Sequence, residues 1–385
     1  MTLKTFIPID QYSSDPDIQA LLFENNYQYI WSSSLGTSGD LTYSFADNNT
    51  FQLDDAYYNS FSIYTSLIEN NFTEAILDNP AYAFRTFTEE AKNTIRNSLD
   101  DWSDATGLNF IEIDETQGSY GDIRFYIQNF SNWSNLDPFY GTGVSGFAFV
   151  PFFDSDFDAL EGDIFLNEHD VIESYFPHLI SHEIGHAIGL SHPFEGHFFD
   201  PYVMTHESVM TYDDSFILAS GLMPDDIKVA EFLYGGNTNA NDENNTYSWQ
   251  TYEELNLRQS IIDKGGNDTF DFSAQANGVY ADISPDSWSD LNYNGVSSYY
   301  LISPPNLIAS GLNLLNINAR LLQPDGTYLV DNDLNSWTYS GITSVTTTDL
   351  DNNGHEDILL QSGENLITLN NDGNNNWSTQ LIASG

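Results

Sequence analysis

The segment HEIGHAIGLSH, residues 182 to 192, places three histidines and a glutamate within eleven positions. His182 and His186 are four residues apart, so on an α-helix their side chains lie one turn apart on the same face. Two imidazoles placed in this way can bind one metal ion. Gly189 allows the chain to turn sharply out of the helix, so that His192 can return as a third ligand. The spacing predicts a helix, a glycine turn and a three-histidine metal site.

Three protein ligands leave one coordination position of a tetrahedral zinc ion open, which is typical of a catalytic rather than a structural site. Glu183 directly follows the first ligand and would lie beside the metal without binding it. We interpret Glu183 as the general base toward a zinc-bound water. The alternative is a helix in which histidines coincide by chance, but the added glycine and third histidine at fixed offsets favour the zinc site.

The composition is strongly acidic, with 57 Asp and Glu against 9 Lys and Arg and a formal net charge of −48. Such a surface repels nucleic-acid phosphates and anionic lipid headgroups, so we expect neither nucleic acid nor membrane as a partner. It attracts divalent cations, which favours calcium as a stabilising ion. The alternative away from specific motifs is a solvated acidic surface that binds nothing in particular.

The chain contains no cysteine, which favours a bacterial protein stabilised by metal ions rather than by disulfides. Residues 1 to 15 lack a cationic stretch followed by an apolar one, which a secretory signal peptide would require. The acidic, cation-attracting surface suits a secreted protein, and for such a protein we expect export that does not depend on a signal peptide.

Segments of helical and strand periodicity follow one another irregularly over the first 236 residues. Helices are predicted over residues 86–107, 175–190 and 225–236, and strands over 40–45, 108–113, 122–127 and 145–151. In the first helix, Thr86 and Glu89 would form a capping box and Gly107 would form the C-terminal cap. This order favours an α+β domain over a regular βαβ alternation.

Beyond Gly236 the chain becomes polar and then continues as short β-prone runs separated by Asn, Asp and Gly turns. We predict an α+β domain over residues 1–236, a β linker over 237–285 and a β-rich module over 286–385. The C-terminal region would then be all-β.

HEIGHAIGLSHP resembles the zinc signature of the metzincin metalloproteases, and is most similar to that of the serralysin group of bacterial secreted proteases. SVMTY, residues 208 to 212, resembles the Met-turn of that family. Met210 would lie under the zinc site, and Tyr212 would be the tyrosine that approaches the metal. Further similarity in LTYSF, DDWSDATGLNFIEI, SGFAFVP, DDIKVAEFLYGGN and IIDKGGNDTFDFS extends the resemblance over about residues 15 to 275.

The resemblance implies a metzincin catalytic domain, with a twisted mixed sheet and an active-site helix, and a secreted endopeptidase of broad specificity. Glu183 would be the catalytic base and Tyr212 would assist. Gly146, Phe147 and Ala148 in SGFAFVP would belong to an edge strand that binds an extended peptide through its main chain. The alternative for the side chains is a plain core strand with its two phenylalanines on one face.

The same resemblance implies protein or peptide substrates, a monomeric enzyme and a possible proteinaceous inhibitor. Two alternatives stay open: a metzincin subgroup of narrower specificity, and a non-catalytic adhesion or matrix-binding protein whose protease domain is vestigial. The presence of Glu183 favours an enzyme. No Lys or Arg occurs between Arg124 and Lys228, so we expect a negative cleft that disfavours acidic side chains on both sides of the scissile bond.

One calcium site is predicted where the serralysin resemblance ends. Serralysins continue into an array of GGxGxDx-type nonapeptides, whereas this chain has a single GGND at residues 265 to 268. Asp263, Gly265 and Asp268 would form one calcium site, and the alternative is an isolated turn.

A second calcium site is predicted in DLDNNGHEDILL. Asp349, Asp351, Asn353 and Asp357 occupy positions 1, 3, 5 and 9 of an EF-hand-like spacing, but position 12 carries no Glu. Together with NLITLNNDGNNNWSTQLI, this segment resembles an FG-GAP or VCBS repeat, whose loops bind calcium between strands. The alternative is a solvated turn rich in Asp and Asn.

Overall fold

The computed structural model describes two compact units, residues 1–237 and 238–385. The described residues are 4–23, 28–46, 84–133, 143–152, 160–200, 202–212, 219–249, 258–266, 268–271, 287–289, 299–302, 307–310, 342–348, 357–362, 365–371 and 377–384. Within these ranges no helix is long and apolar enough to span a membrane. The three-part domain division stays a prediction.

The N-terminal unit combines helices with strands. Its strands are β1 (Thr5–Phe6), β2 (Tyr29–Ile30), β3 (Asp40–Phe45), β4 (Asn109–Glu112), β5 (Ile123–Gln128), β6 (Gly146–Ala148) and β7 (Ile164–Asn167). Its α-helices are α1 (Pro16–Ala20), α2 (Glu89–Thr106), α3 (Phe130–Trp133), α4 (Phe176–Ala187) and α5 (Pro224–Tyr234). Short 3₁₀ helices lie at Ile9–Gln11, Glu115–Gln117 and Asp170–Ile172.

Five of these strands form one mixed sheet in the order β4-β3-β5-β7-β6. β4, β3, β5 and β7 pair in parallel, whereas β6 runs antiparallel to β7. Every residue of the central strand β5 is buried, as expected for a strand covered on both faces. β6 ends the order, so among the described strands it occupies the edge position that the serralysin resemblance implies.

Helix α2 confirms the predicted apolar stripe, but its cap is shifted. Ala91, Ile95, Leu99 and Trp102 are all buried. The capping box predicted for Thr86 and Glu89 is wrong, because the hydroxyl of Thr88 accepts the Ala91 N–H and the helix begins at Glu89. Thr86 and Thr88 both precede the helix. Thr88 is the cap because it lies directly before Glu89 and adopts an extended backbone conformation. Gly107 closes the helix in a left-handed conformation with φ 69°, as predicted.

Helix α4 packs between α2 and the edge of the sheet and therefore fixes the position of the histidine motif. The Trp102 indole N–H of α2 donates to the Ser181 carbonyl of α4 at 3.3 Å, and the Ser98 and Ser181 hydroxyls lie 2.8 Å apart. These buried contacts orient the side of α4 opposite its ligands. The combination of mixed sheet and packed helices confirms the α+β class for this unit.

The described regular elements beyond residue 237 are strands. They are β8 (Thr246–Ser248), β9 (Gln259–Ile262), β10 (Asp268–Asp271), β11 (Ser287–Ser289), β12 (Tyr299–Ile302), β13 (Leu307–Ser310), β14 (Ile342–Thr348), β15 (Asp357–Ser362), β16 (Asn365–Asn371) and β17 (Trp377–Ser384). They form a seven-stranded sheet, β17-β16-β15-β14-β13-β10-β8, and a three-stranded sheet, β11-β12-β9. Most connections between them lie outside the described residues, so the all-β class of this region stays a prediction.

Candidate active site

Helix α4 and the turn after it bring three histidines to one point. His182 and His186 lie on α4, and Gly189 follows the helix with φ +106°, a backbone conformation that favours glycine. The turn returns His192 to the ligand face of the helix. The Nε2 atoms are 3.1 Å apart for His182 and His186, 3.0 Å for His186 and His192, and 3.2 Å for His192 and His182. Among the described residues, this is the group of three that could hold a metal ion.

The second ring nitrogen of each histidine, Nδ1, lies against a protein oxygen. The partners are the Val209 carbonyl at 2.7 Å for His182, the Leu190 carbonyl at 2.8 Å for His186, and Glu195 Oε2 at 2.9 Å for His192. Because these oxygens accept hydrogen bonds, Nδ1 of each ring donates and carries the hydrogen. Each neutral ring therefore directs the lone pair of Nε2 toward the centre of the group.

The electrostatics of the histidine group fit a bound cation. Burial lowers the pKa of His186 to about 3 and lowers the pKa of His182 well below its usual value, so both rings are neutral at pH 7. Burial also lowers the pKa of His192. Three lone pairs directed at one another repel unless a cation lies between them. Nitrogens about 2.0–2.1 Å from a tetrahedral zinc ion lie roughly 3.3–3.4 Å apart, close to the observed separations.

Glu183 is buried beside the first ligand and keeps one oxygen unused. Its Oε2 has no hydrogen-bond partner in the described part of the chain. Burial raises the pKa of this carboxyl group to about 8. A cation bound by the neighbouring histidines would lower this pKa again and favour the ionised form that accepts a proton. A Cβ at position 146 would lie 2.8 Å from Glu183 Oε1, so Gly146 leaves the space in which the carboxylate lies against β6.

The predicted Met-turn lies directly under the histidine motif. Met210 is fully buried, and a Cβ at Gly185 would lie 2.5 Å from its sulfur. Since Gly185 precedes His186 on α4, Met210 packs against the helix next to its ligands. The carbonyl of Val209 in the same turn holds His182 at 2.7 Å.

Tyr212 contacts two of the three histidines. Its hydroxyl lies 2.7 Å from His192 Nε2 and donates to that lone pair. Its ring stacks near His182 at a centroid distance of 5.4 Å, and Phe194 stacks on His192 at 4.8 Å. Tyr212 as a whole residue is 62% exposed. Burial of the hydroxyl raises its pKa above the usual value and keeps it protonated.

The side chains of β6 pack against its neighbour, in line with the alternative of a plain core strand. The Phe147 ring stacks on Phe165 of β7 at 4.9 Å, and Phe149 contacts the same ring edge-to-face at 6.0 Å. Gly146 and Ala148 lie on the same strand as Phe147. Peptide binding by the main chain of these residues stays a prediction.

Sequence reasoning missed the residue that anchors the Met-turn. Asp226 on α5 is fully buried and accepts hydrogen bonds from the Ser208 hydroxyl at 2.6 Å, the Val209 N–H at 2.9 Å and the Met223 N–H at 2.8 Å. It thereby links α5 to the peptide unit that holds His182. The only signal was an acidic residue in the first turn of a helix, which usually indicates capping rather than a site.

The residues predicted for the first calcium site lie in the second unit. Asp263 and Asp268 are fully buried. Asp263 accepts from the Tyr247 hydroxyl at 2.6 Å and from the Gly265 N–H at 3.1 Å. Asp268 Oδ1 accepts from the Asn245 N–H at 2.8 Å, while its Oδ2 has no partner in the described part of the chain. Burial raises the pKa of Asp263, and the charge of Asp268 adds to this shift.

The second predicted calcium site cannot be placed in the same way. Asp349, Asp351 and Asn353 lie outside the described residues, and Asp357 is the first residue of β15.

Comparison with known proteins bears on the same part of the chain. The matrixin family model matches residues 69–235, a span that contains all three histidines, Glu183 and the Met-turn. The match and the geometry of the site agree in their location. Residues 69–235 are therefore similar to a matrixin-type zinc metalloprotease domain.

Proteins to which this chain is similar include bacterial serralysins. Serralysin B of Dickeya chrysanthemi is 28% identical over 240 residues, which cover 53% of this chain and 48% of the relative. Serralysin of Photorhabdus laumondii is 24% identical over 262 residues, 58% of this chain and 52% of the relative. Metallopeptidase AprA of Pseudomonas marginalis is 25% identical over 245 residues, 54% of this chain and 49% of the relative. The matched part of the chain thus spans about half the length of each relative.

Proposed function

We propose that the protein is a secreted, zinc-dependent endopeptidase that cleaves proteins with broad specificity. The observation that carries the proposal is the convergence of three Nε2 lone pairs next to a buried Glu183 oxygen without a partner in the described residues. The serralysin relatives support secretion and a protein substrate. The acidic composition supports action as a monomer, with neither nucleic acid nor membrane as a partner, and a proteinaceous inhibitor would be a further partner.

In this proposal His182, His186 and His192 hold the zinc ion through Nε2. Zinc bound there would supply Lewis acidity, polarising the scissile carbonyl and lowering the pKa of water at the open coordination position. The bonds from Nδ1 to protein oxygens keep each ring in the tautomer and orientation that such binding requires.

Glu183 moves the proton. Its unpartnered Oε2 takes a proton from the attacking water as the new C–O bond forms. The same carboxyl group then passes that proton to the amine nitrogen as the C–N bond breaks, so Glu183 ends the cycle ionised. Tyr212 is protonated and exposed, and its hydroxyl would donate a hydrogen bond to the carbonyl oxygen as negative charge develops there.

β6 would bind the substrate backbone. Its three residues pair with β7 on one side, and the strand ends the described sheet order, so an added peptide strand would extend the sheet antiparallel. Gly146 lies against Glu183, which brings a peptide on this strand next to the base. Main-chain recognition of this kind tolerates many side chains and supports broad specificity.

Calcium would stabilise the second unit. Asp263, Gly265 and Asp268 surround a turn with two buried carboxylates, one oxygen of which has no partner among the described residues. Calcium would relieve the repulsion between these charges. The sequence spacing alone supports a second site at Asp349, Asp351, Asn353 and Asp357 in an FG-GAP-like or VCBS-like repeat.

The test is hydrolysis of casein by the purified chain with zinc and calcium, with 1,10-phenanthroline as zinc chelator. We expect cleavage that stops with the chelator and returns when Zn²⁺ is added. Glu183→Gln serves as the control for contaminating proteases and should cleave casein at least about 100-fold more slowly. A folded, zinc-loaded chain that leaves casein intact would instead support the non-catalytic adhesion or matrix-binding alternative.

A further inference from the structure

We infer that Gln28 is a positioning residue for the third ligand, His192, and that it acts through the backbone of the turn at Gly189. The inference rests on the proposed zinc site. Gln28 lies 161 positions before Gly189 in the chain, yet its Nε2 donates to the Gly189 carbonyl at 2.9 Å. That carbonyl belongs to the turn that redirects the chain from α4 toward His192.

Gln28 is suited to this position because it satisfies two peptide groups at once. It is fully buried, and its Oε1 accepts the Phe23 N–H at 3.0 Å. A Cβ at Gly189 would lie 2.8 Å from the Tyr29 carbonyl, so the turn and the segment after Gln28 are in close contact. A buried carbonyl at such a turn needs a donor, and in the described structure the Gln28 amide supplies it.

Neighbouring residues hold the end of helix α4 in the same way. The indole N–H of Trp31 donates to the Ala187 carbonyl at 2.8 Å, and the Tyr234 hydroxyl donates to the Ile188 carbonyl at 2.5 Å. The Trp31 backbone N–H in turn donates to the Tyr234 hydroxyl at 3.3 Å. The last carbonyls of a helix lack intrahelical partners, so these side chains act as a tertiary cap on the ligand-bearing helix.

The backbone before Gln28 holds the other side of His192. The Ser191 N–H donates to the Leu21 carbonyl at 2.8 Å, and the His197 N–H donates to the Leu22 carbonyl at 2.7 Å. A Cβ at Gly196 would lie 1.8 Å from the Ala20 carbonyl, so the two segments touch there as well. His192 therefore lies on a segment that the chain around Gln28 binds both before and after it.

Gln28→Glu tests the inference with a nearly isosteric change. The introduced carboxylate would retain an acceptor for the Phe23 N–H but could not donate to the Gly189 carbonyl when ionised. We expect zinc affinity, measured by competition with a chromophoric chelator, to fall by about 10- to 100-fold, as for other residues that orient metal ligands. The visible absorption spectrum of the Co²⁺-substituted protein should also change, because the geometry of the third ligand changes.

Two further variants separate positioning from general stability. Gln28→Met removes the donor without introducing a buried charge and should show the same weakening of zinc affinity. Gln19→Glu is the matched control, because the Gln19 side chain donates to the Ser13 carbonyl at 2.6 Å and does not bond to the turn at Gly189. Gln19→Glu should retain the wild-type zinc affinity and Co²⁺ spectrum. Near-ultraviolet circular dichroism checks that each variant is folded.

The outcomes distinguish this inference from the zinc site itself. Folded Gln28 variants with wild-type zinc affinity and Co²⁺ spectrum overturn the positioning role, as do Gln28 variants that fail to fold, since Gln28 would then support the fold in general. His192→Ala tests the site, and it should weaken zinc binding more than any Gln28 variant. If His192→Ala binds zinc as tightly as the wild type, the three-histidine site is wrong.

Discussion

The histidine site of the first unit and the aspartate turn of the second unit both gather metal-ligand atoms, but their hydrogen bonds are distributed differently. Each histidine uses Nδ1 for a protein contact and leaves Nε2 directed at its two neighbours. In the aspartate turn, both oxygens of Asp263 and one oxygen of Asp268 already accept protein hydrogen bonds. Of the four carboxylate oxygens in this turn, only Asp268 Oδ2 lacks a partner in the described residues.

The difference in hydrogen bonding indicates different roles for a metal ion in the two places, a catalytic role at the histidines and a stabilising role at the aspartates. The Nδ1 contacts hold the histidine rings in their binding geometry without using the Nε2 lone pairs, which favours tight binding and a defined ligand arrangement. The Tyr212 hydroxyl, which donates to His192 Nε2, would have to give up that bond to a metal ion. The aspartate turn satisfies itself in large part, so a cation there would mainly offset the repulsion between two buried carboxylates. We therefore expect zinc to control activity and calcium to control the stability of the second unit.

The largest expected effect is that of Glu183→Gln on kcat, which tests whether Glu183 acts as a base and not as a metal ligand. Glu183→Gln should lower kcat by about 100- to 10,000-fold, because a positioned general base contributes a factor of that size. Zinc affinity should stay at the wild-type value, since Glu183 is not a ligand. The measurements are peptide hydrolysis under saturating substrate and zinc competition with a chelator. Near-normal hydrolysis by the zinc-loaded variant would remove Glu183 from the mechanism.

Asp226→Ala tests whether contacts behind the ligands maintain the site. The change leaves three donors without their acceptor, the Ser208 hydroxyl and the N–H groups of Val209 and Met223. We expect the free energy of unfolding to fall by at least about 3 kcal/mol, since each of the three unsatisfied buried groups costs about 1–3 kcal/mol. Urea denaturation measures the effect.

The neighbouring carboxylate offers a matched control for Asp226. Asp225 accepts from Lys228 at 3.4 Å and bonds to no residue of the Met-turn through its side chain. Asp225→Ala should therefore have a much smaller effect on stability. Equal losses for both alanine variants would show that the Met-turn contacts of Asp226 are not the cause.

Asp268→Asn tests the aspartate turn. In the wild type, calcium at 100 times its dissociation constant should stabilise the protein by about 2.7 kcal/mol. The variant should lose most of this stabilisation, because it lacks the charge at the one oxygen of the turn that has no partner among the described residues. Thermal unfolding with and without calcium gives the comparison. A calcium-dependent rise in Tm that survives the substitution would place the ion elsewhere in the chain.

The smallest effect is expected for Tyr212→Phe. Tyr212 is 62% exposed as a residue, and its hydroxyl donates to His192, so it is less organised for the reaction than a fixed oxyanion donor. We expect kcat to fall about tenfold, below the loss typical of a fixed oxyanion donor, with KM and zinc affinity unchanged. A loss as large as that of Glu183→Gln would instead make Tyr212 an essential group.

Local periodicity predicted much of the first unit correctly. The apolar stripe of α2 and the cap at Gly107 follow from neighbouring residues, and the structure confirms both of them. Helix boundaries were less accurate: α4 spans Phe176–Ala187 rather than 175–190, and α5 spans Pro224–Tyr234 rather than 225–236. Ends depend on which peptide groups find partners outside the helix, which periodicity does not show.

The sequence by itself determined the ligand set, because residues four apart on a helix share a face and glycine permits the turn to His192. Only the tertiary structure decided how those ligands are held. Asp226 lies 44 residues after His182 in the chain, and Gln28 lies 161 residues before Gly189. Both contact the site through hydrogen bonds to backbone groups. Such contacts leave no periodic trace in a sequence, since any segment that the fold brings close can supply the donor or acceptor that a buried peptide group requires.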